Sequence, residues 1–362
     1  MSDGFTTHKW LLPASWLYGL GVGCRNYLFD KGVLRSRRFD IPVIDVGNIS
    51  VGGTGKTPHV EYLIRLLRHS CKVAVLSRGY KRSTRGFVLA TSSSTSLEIG
   101  DEPKQIKDKF GDVVVAVDED RCDGIDQLLS APSTRDIGVV LLDDAFQHRY
   151  VHAGLNILLT DYNRLITDDA LLPAGRLRES AGGRRRADII VVTKCPANLP
   201  PLEMNRVRQS LQPTANQSLF FSCMEYQLLQ PLFCGDDRPL ATIADEHVLV
   251  VSGIANPTPL LDEIGKHTHH VHHLSYSDHH HFTAKDISDI QTAFNSLPSP
   301  RCVITTEKDA ARLGKAKGLD EEARRQIYQL PIRVKILDDK QDLFDKQIKD
   351  YVSENQRHGI LD

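Results

Sequence analysis

The feature that most constrains this chain is one stretch near its beginning: Pro42-Val43-Ile44-Asp45-Val46-Gly47-Asn48-Ile49-Ser50-Val51-Gly52-Gly53-Thr54-Gly55-Lys56-Thr57-Pro58. An apolar, β-branched run enters a glycine-rich turn. Lys-Thr follows, and then Val60, Leu63, Ile64 and Leu67 fall on one face of a helix. Strand, loop and helix in that order are the context of a phosphate-binding P-loop. Its glycines let backbone N–H groups curl around phosphate oxygens, and the helix N-terminus adds partial positive charge. Ser50 through Thr57 are therefore expected to bind a nucleotide triphosphate, with Lys56 on the β- and γ-phosphates and the Thr57 hydroxyl on Mg²⁺. One departure is visible: Ser50 stands where the pattern has its first glycine.

The 362 residues suffice for two domains, each with a core. A formal net charge of −1 gives no sign of a nucleic-acid coat, and no nucleic-acid partner is expected. Seven scattered cysteines without a C-x-x-C pair argue against a disulfide framework or zinc site and for a reducing compartment.

Four segments divide the chain: 1–38, 39–215 with the P-loop, linker strands over 216–244, and a second α/β domain with a closing C-terminal helix over 245–362. In the first, Trp10 to Cys24 is too short an apolar run to span a bilayer. Both tryptophans and Tyr18 suit the headgroup level of a membrane, with Lys31, Arg35, Arg37 and Arg38 behind them. A terminal helix packed on its own domain explains the same residues equally well.

After the P-loop, apolar runs at Lys72–Ser77, Val113–Asp118, Ile137–Leu142, Leu155–Thr160 and Asp188–Thr193 read as strands alternating with helices. The fold class is α/β, a P-loop NTPase-type doubly wound parallel sheet with a second, smaller α/β domain. Gly100-Asp101-Glu102-Pro103 places two carboxylates ahead of a proline, which taken alone reads as a helix start. Asp143 and Asp144 end a strand where P-loop enzymes hold Mg²⁺. The basic stretch from Pro173 to Arg186 suits an anionic partner or a solvated helix face. Thr193-Lys194-Cys195-Pro196 puts proline where guanine readers carry aspartate, which favours ATP over GTP. The histidines from His267 to His281 alternate like an exposed strand and lack acidic partners, which argues against structural zinc. Asp278-His279 differs, because an aspartate-oriented histidine can act in a relay.

Together these pieces resemble the tetraacyldisaccharide 4'-kinase family of lipid A synthesis. The motifs are Ser-Val-Gly-Gly-Thr-Gly-Lys-Thr-Pro, Leu-Ser-Arg-Gly-Tyr, Gly-Asp-Glu-Pro, Asp-Asp-Ala-Phe-Gln-His-Arg, Pro-Ala-Gly-x-Leu-Arg-Glu, Asp-His and Thr-Thr-Glu-Lys-Asp-Ala, in this order. The family carries a small residue at the first P-loop glycine, which accounts for Ser50. The resemblance implies phosphoryl transfer from ATP, with Mg²⁺, to the 4'-hydroxyl of a tetraacyl glucosamine disaccharide 1-phosphate, giving lipid IVA at the cytoplasmic face of the inner membrane. It further implies Asp101 as catalytic base with His279 as its partner, His280 and His281 remaining open alternatives. Thr57, Glu102, Asp143 and Asp144 would lie on the metal, and Arg78, His148, Arg178 and Glu179 on the substrate. A monomer is favoured. The residues without the resemblance support an ATP-using P-loop enzyme with a second domain; a soluble small-molecule kinase or a membrane-attached nucleotide switch are its rivals.

Overall fold

The computed structural model describes residues 8–278, 280–314 and 317–357. The chain forms two compact units: Met1–Met224 with Val334–Asp362, and Glu225–Arg333. Eight strands of the first lie in chain order: β1 (Val43–Asn48), β2 (Val73–Ser77), β3 (Val88–Leu89), β4 (Val114–Val117), β5 (Val139–Asp143), β6 (Leu155–Asp161), β7 (Ile189–Thr193) and β8 (Ser218–Tyr226). The second unit holds β9 (Gln230–Pro231), β10 (His247–Ser252), β11 (Val271–Ser275), β12 (Arg301–Thr306) and β13 (Ile327–Leu330). A last strand, β14 (Ile332–Ile336), joins the large sheet, whose order is β14-β8-β7-β6-β1-β5-β2-β4-β3.

In that sheet β2, β4, β5, β1, β6, β7 and β8 run parallel; the two-residue β3 pairs antiparallel with β4, and β14 runs antiparallel to β8, Leu337 N donating to Phe221 O and Gln227 N to Pro331 O. Central strands of such a sheet are covered on both faces, which is why β1, β2, β5 and β7 are buried at every position. On one face Ile44, Val75 and Leu141 pack against Val60, Ile64 and Leu67 of the helix Lys56–Leu67. On the other, Val43, Leu76 and Leu142 meet Ile125 and Leu128 of the helix Arg121–Ser130. The doubly wound α/β architecture expected from the strand–helix alternation is the one observed.

The division of the chain differs from the sequence expectation at its end. The closing helix Gln341–Arg357 belongs to the first unit, not to the second domain. Its Phe344, Ile348 and Val352 enter the core beneath β1, and the Tyr351 hydroxyl donates to Val43 O at 3.0 Å. Strands over 332–336 and 218–226, taken as second-domain and linker, are instead the edge of the large sheet. A strand's own residues define its two faces but not which neighbour it pairs with, so the pattern alone misplaced both.

Of the first segment, residues 12–30 form a helix, Leu12–Asp30, which binds the first unit along one stripe. Ser15 Oγ accepts from Ala174 N at 3.0 Å, Tyr18 donates to Arg178 O at 2.8 Å, and Asn26 donates to Glu179 at 3.1 Å. Phe29 is buried. The opposite stripe exposes Trp16, Leu17, Leu20 and Tyr27. Among the described residues no helix is long and apolar enough to cross a membrane. A docked inner face and an apolar outer face coexist on one helix.

In the second unit β10, β11, β12 and β13 are parallel, with β9 antiparallel at one edge and β11 at the other. The Thr-Thr-Glu-Lys-Asp motif closes β12. Thr306 caps the next helix by accepting from Asp309 N, and buried Asp309 accepts from Gly253 N at 2.9 Å. This fixes the turn after β10.

Candidate active site

The P-loop connects β1 to the helix Lys56–Leu67 as the sequence pattern requires. Gly52 and Gly55 take φ of +117° and +84°, a region in which a side chain is strained. At Gly55, which starts the helix, it is this left-handed conformation rather than lack of space that calls for glycine, the nearest atom to an added Cβ being Cε of the flexible Met224 side chain at 2.9 Å. Thr54 is pinned from two sides: its hydroxyl accepts from Asn48 Nδ2 at 2.8 Å and its carbonyl from Thr193 Oγ1 at 2.9 Å. Behind the helix, buried His59 bonds Gly55 O at 2.7 Å and Ser222 Oγ at 3.1 Å. Burial holds this imidazole near pKa 4, so it is neutral and acts as a strut. A separate brace comes from Pro173–Glu179: Val51 N donates to Arg176 O, and Arg178 N to Ile49 O, both at 2.7 Å.

Carboxylates gather at the carboxyl ends of the neighbouring strands. Asp143 ends β5, and its carboxyl is raised well above the usual carboxylate range, first by burial and then by the charge of Glu102. Lys56 and Arg121 oppose that rise, and Asp144 adds to it. Asp144 adopts φ +56°, a left-handed conformation that aspartate tolerates. Its carboxylate lies 3.7 Å from Lys56 Nζ and accepts two 3.1 Å hydrogen bonds from Arg178 Nη1. Asp101 and Glu102 form the first turn of the helix Asp101–Lys109, after Gly100 at φ +91°. Asp143 Oδ1 is buried without a hydrogen-bond partner, beside two further carboxylates. Hard oxygen donors of this kind fit Mg²⁺.

Among the residues expected on the substrate, Arg78 is exposed and lines an open depression of about 460 Å³ with Tyr80, Lys81, Arg82, Arg85 and Glu119. His148 is lowered to a pKa of about 4 by burial and the charge of Arg121, and is therefore neutral at pH 7. Arg178 lies on Asp144 and Gln147. Glu179 differs from expectation. It is buried, and its two oxygens accept from Arg186, Asn26 and Gln147. Its geometry is that of an internal clamp, not of a substrate contact. The basic run is likewise partly internal: Arg184 donates to Leu211 O at 2.7 Å, and Arg186 holds Glu179.

In the second unit Asp278 accepts from Lys308 Nζ at 2.8 Å, and His280 bonds Asp286 at 2.9 Å. His279 lies outside the described residues.

Sequence reasoning passed over three residues here. Arg121 is buried among Asp143, Asp144 and Asp45, and donates to Asp118 O and Glu119 O. Gln147 donates to Asn48 O at 2.7 Å, joining the Asp-Asp-Ala-Phe-Gln loop to the P-loop strand. Asp45 sits mid-strand in β1, accepts from Ala145 N at 3.2 Å, and is raised to about 7 by burial. A charged residue inside an apolar run was the available signal. Since native Asp45 keeps its proton up to about pH 7 while the unfolded chain releases it near 4, wild-type stability falls as pH rises through that window. Asp45→Asn removes this dependence. The stability of the variant relative to wild type should rise between pH 4 and 7 by on the order of 4 kcal/mol and then level off, as read from urea midpoints. A pH-independent difference would contradict the protonated state of Asp45.

The comparisons with known proteins bear on this geometry. Residues 7–353 match the family model for tetraacyldisaccharide-1-P 4'-kinase. The chain belongs to that family. It is 52% identical over 360 residues to the tetraacyldisaccharide 4'-kinase of Bacteroides fragilis, covering 98% of this chain and 96% of that one. With the same enzyme of Porphyromonas gingivalis it shares 47% over 347 residues, 94% of this chain and 96% of the other. Among solved structures, "apo" form LpxK of Aquifex aeolicus in complex with ATP superimposes with a TM-score of 0.73 at 30% identity, covering 95% of this chain and 99% of that one. The family member described here is thus a kinase of lipid A synthesis that phosphorylates the 4' position of a tetraacyldisaccharide 1-phosphate.

Proposed function

We propose that this kinase takes ATP on Ser50–Thr57 and carries out transfer with the carboxylates around β5. The observation that carries this reading is the meeting of Lys56 and Asp144 at 3.7 Å, beside buried Asp143 and the Glu102 charge. Backbone N–H groups of the loop and the start of the helix Lys56–Leu67 hold the phosphates. Thr57, Asp143, Asp144 and Glu102 would hold Mg²⁺, which would supply positive charge to offset that of the triphosphate. Lys56 opposes the charge growing on the transferred group. Asp101, at the start of its helix, accepts the proton of the attacking sugar hydroxyl. Arg178 orients Asp144, while Arg78 and His148 face the anionic head of the lipid. Glu179 positions Arg186 and Gln147 and leaves the substrate to its neighbours.

The helix Leu12–Asp30 lies in the interface of the inner membrane, on its cytoplasmic side, with Trp16, Leu17 and Leu20 toward lipid. That arrangement suits a substrate whose acyl chains stay in the bilayer. The protein acts as a monomer, peripheral to the membrane.

The test is transfer of label from γ-labelled ATP to a tetraacyldisaccharide 1-phosphate in detergent micelles, with Mg²⁺ and with excess chelator. A labelled bis-phosphorylated lipid formed only with Mg²⁺ is the expected product. Undiminished transfer in chelator would overturn the metal assignment, and labelled inorganic phosphate without labelled lipid would overturn the acceptor.

A further inference from the structure

One cluster next to the acidic site carries a donor set unlike the carboxylates assigned to the phosphoryl-transfer metal. Asp120, Cys122 and His148 bring one oxygen, one sulfur and one nitrogen atom within 4.8 Å of one another. Asp120 caps the helix Arg121–Ser130: its Oδ1 accepts from Cys122 N at 2.8 Å and from Asp123 N, which fixes the carboxylate beside the thiol. His148 arrives from the loop after β5. Its Nε2 is buried, has no hydrogen-bond partner, and lies 3.8 Å from Asp120 Oδ1.

That separation is too long for a hydrogen bond. It fits two ligands of one tetrahedral ion, because bonds of ~2.0–2.3 Å to zinc put ligand atoms roughly 3.3–3.8 Å apart. The donor set also selects against the metal of the phosphoryl-transfer site. Mg²⁺ takes hard oxygens, whereas thiolate and imidazole with one carboxylate suit Zn²⁺. We propose that Asp120, Cys122 and His148 form a three-ligand Zn²⁺ site, separate from the ATP metal, with the fourth position left to water. On binding, Zn²⁺ takes the place of the Cys122 thiol proton, which passes to solvent.

The site ties the loop Asp144–His148 to the helix that begins with Arg121. It also occupies His148 Nε2, so bound zinc competes with the lipid head and raises its KM, with little effect on the KM for ATP. This inhibitory consequence rests on the placement of His148 at the substrate; the binding site itself does not.

Co²⁺, a spectroscopic stand-in for zinc, tests the site on the full chain. One equivalent should give tetrahedral bands and a thiolate-to-cobalt charge-transfer band, both bleached by zinc. Cys122→Ser should lose the charge-transfer band and keep metal-free kinase activity. Asp120→Asn, which retains a capping side chain, should bind at least about tenfold more weakly. No charge-transfer band in wild type, or one that survives in Cys122→Ser, overturns the site. Metal bound as described with an unchanged lipid KM overturns the inhibition and the placement of His148, and leaves the site standing.

Discussion

Lys56→Ala should lower kcat/KM for ATP by about 10²–10³-fold, the loss typical of removing one donor aimed at developing charge. The geometry around Lys56 accounts for an effect of that size. Its side chain is only 13% exposed and lies 3.7 Å from Asp144. Without the ammonium, the cluster of Asp143, Asp144 and Glu102 loses one of the cations that oppose it and keeps Arg121 and Arg178, where a triphosphate must bind. Binding and turnover therefore both suffer. Lys56→Arg restores the charge on a bulkier planar head and should recover part of the binding and little of kcat. Steady-state kinetics with varied ATP separate the two. A loss below about fivefold in Lys56→Ala would remove the P-loop lysine from the mechanism.

Asp101→Asn should reduce kcat by about 10²–10⁴-fold and leave both KM values nearly unchanged, because the amide keeps the shape and loses only the proton acceptor. Its place on the first turn of the helix Asp101–Lys109 is set by Gly100 at φ +91°, so the change leaves the backbone intact. Steady-state kinetics with each substrate varied in turn separate kcat from the two KM values. A loss that falls on KM with kcat kept would remove the proton acceptor and leave Asp101 a positioning role.

Most of the nucleotide-binding half was legible because its signals are local. The run from Val43 to Asn48, the glycines and Lys56-Thr57 are contiguous, and one stretch of backbone makes both the turn and the helix start. The acidic pair at the end of β5 was legible for the same reason. What escaped depends on distant partners. Glu179 looked available in a basic motif, but Arg186, Asn26 and Gln147 converge on it from three parts of the chain. Strand β14 and the helix after it looked like the close of the second domain, yet they complete the first unit, where Tyr351 reaches Val43 across 308 positions. Arg121 follows a cap residue and reads as an ordinary first-turn cation until the sheet buries it.

The segment Pro173–Glu179 bonds on one side to Ile49 and Val51 of the P-loop and on the other to Ser15, Tyr18 and Asn26 of the N-terminal helix. Cutting the helix away to make a better-behaved soluble protein therefore strips one wall from the strap that shapes the nucleotide loop. Activity lost after such a truncation says nothing about the need for a membrane. Replacing only the outward Trp16, Leu17 and Leu20 with polar residues separates the two questions, since the inward stripe and its hydrogen bonds stay in place.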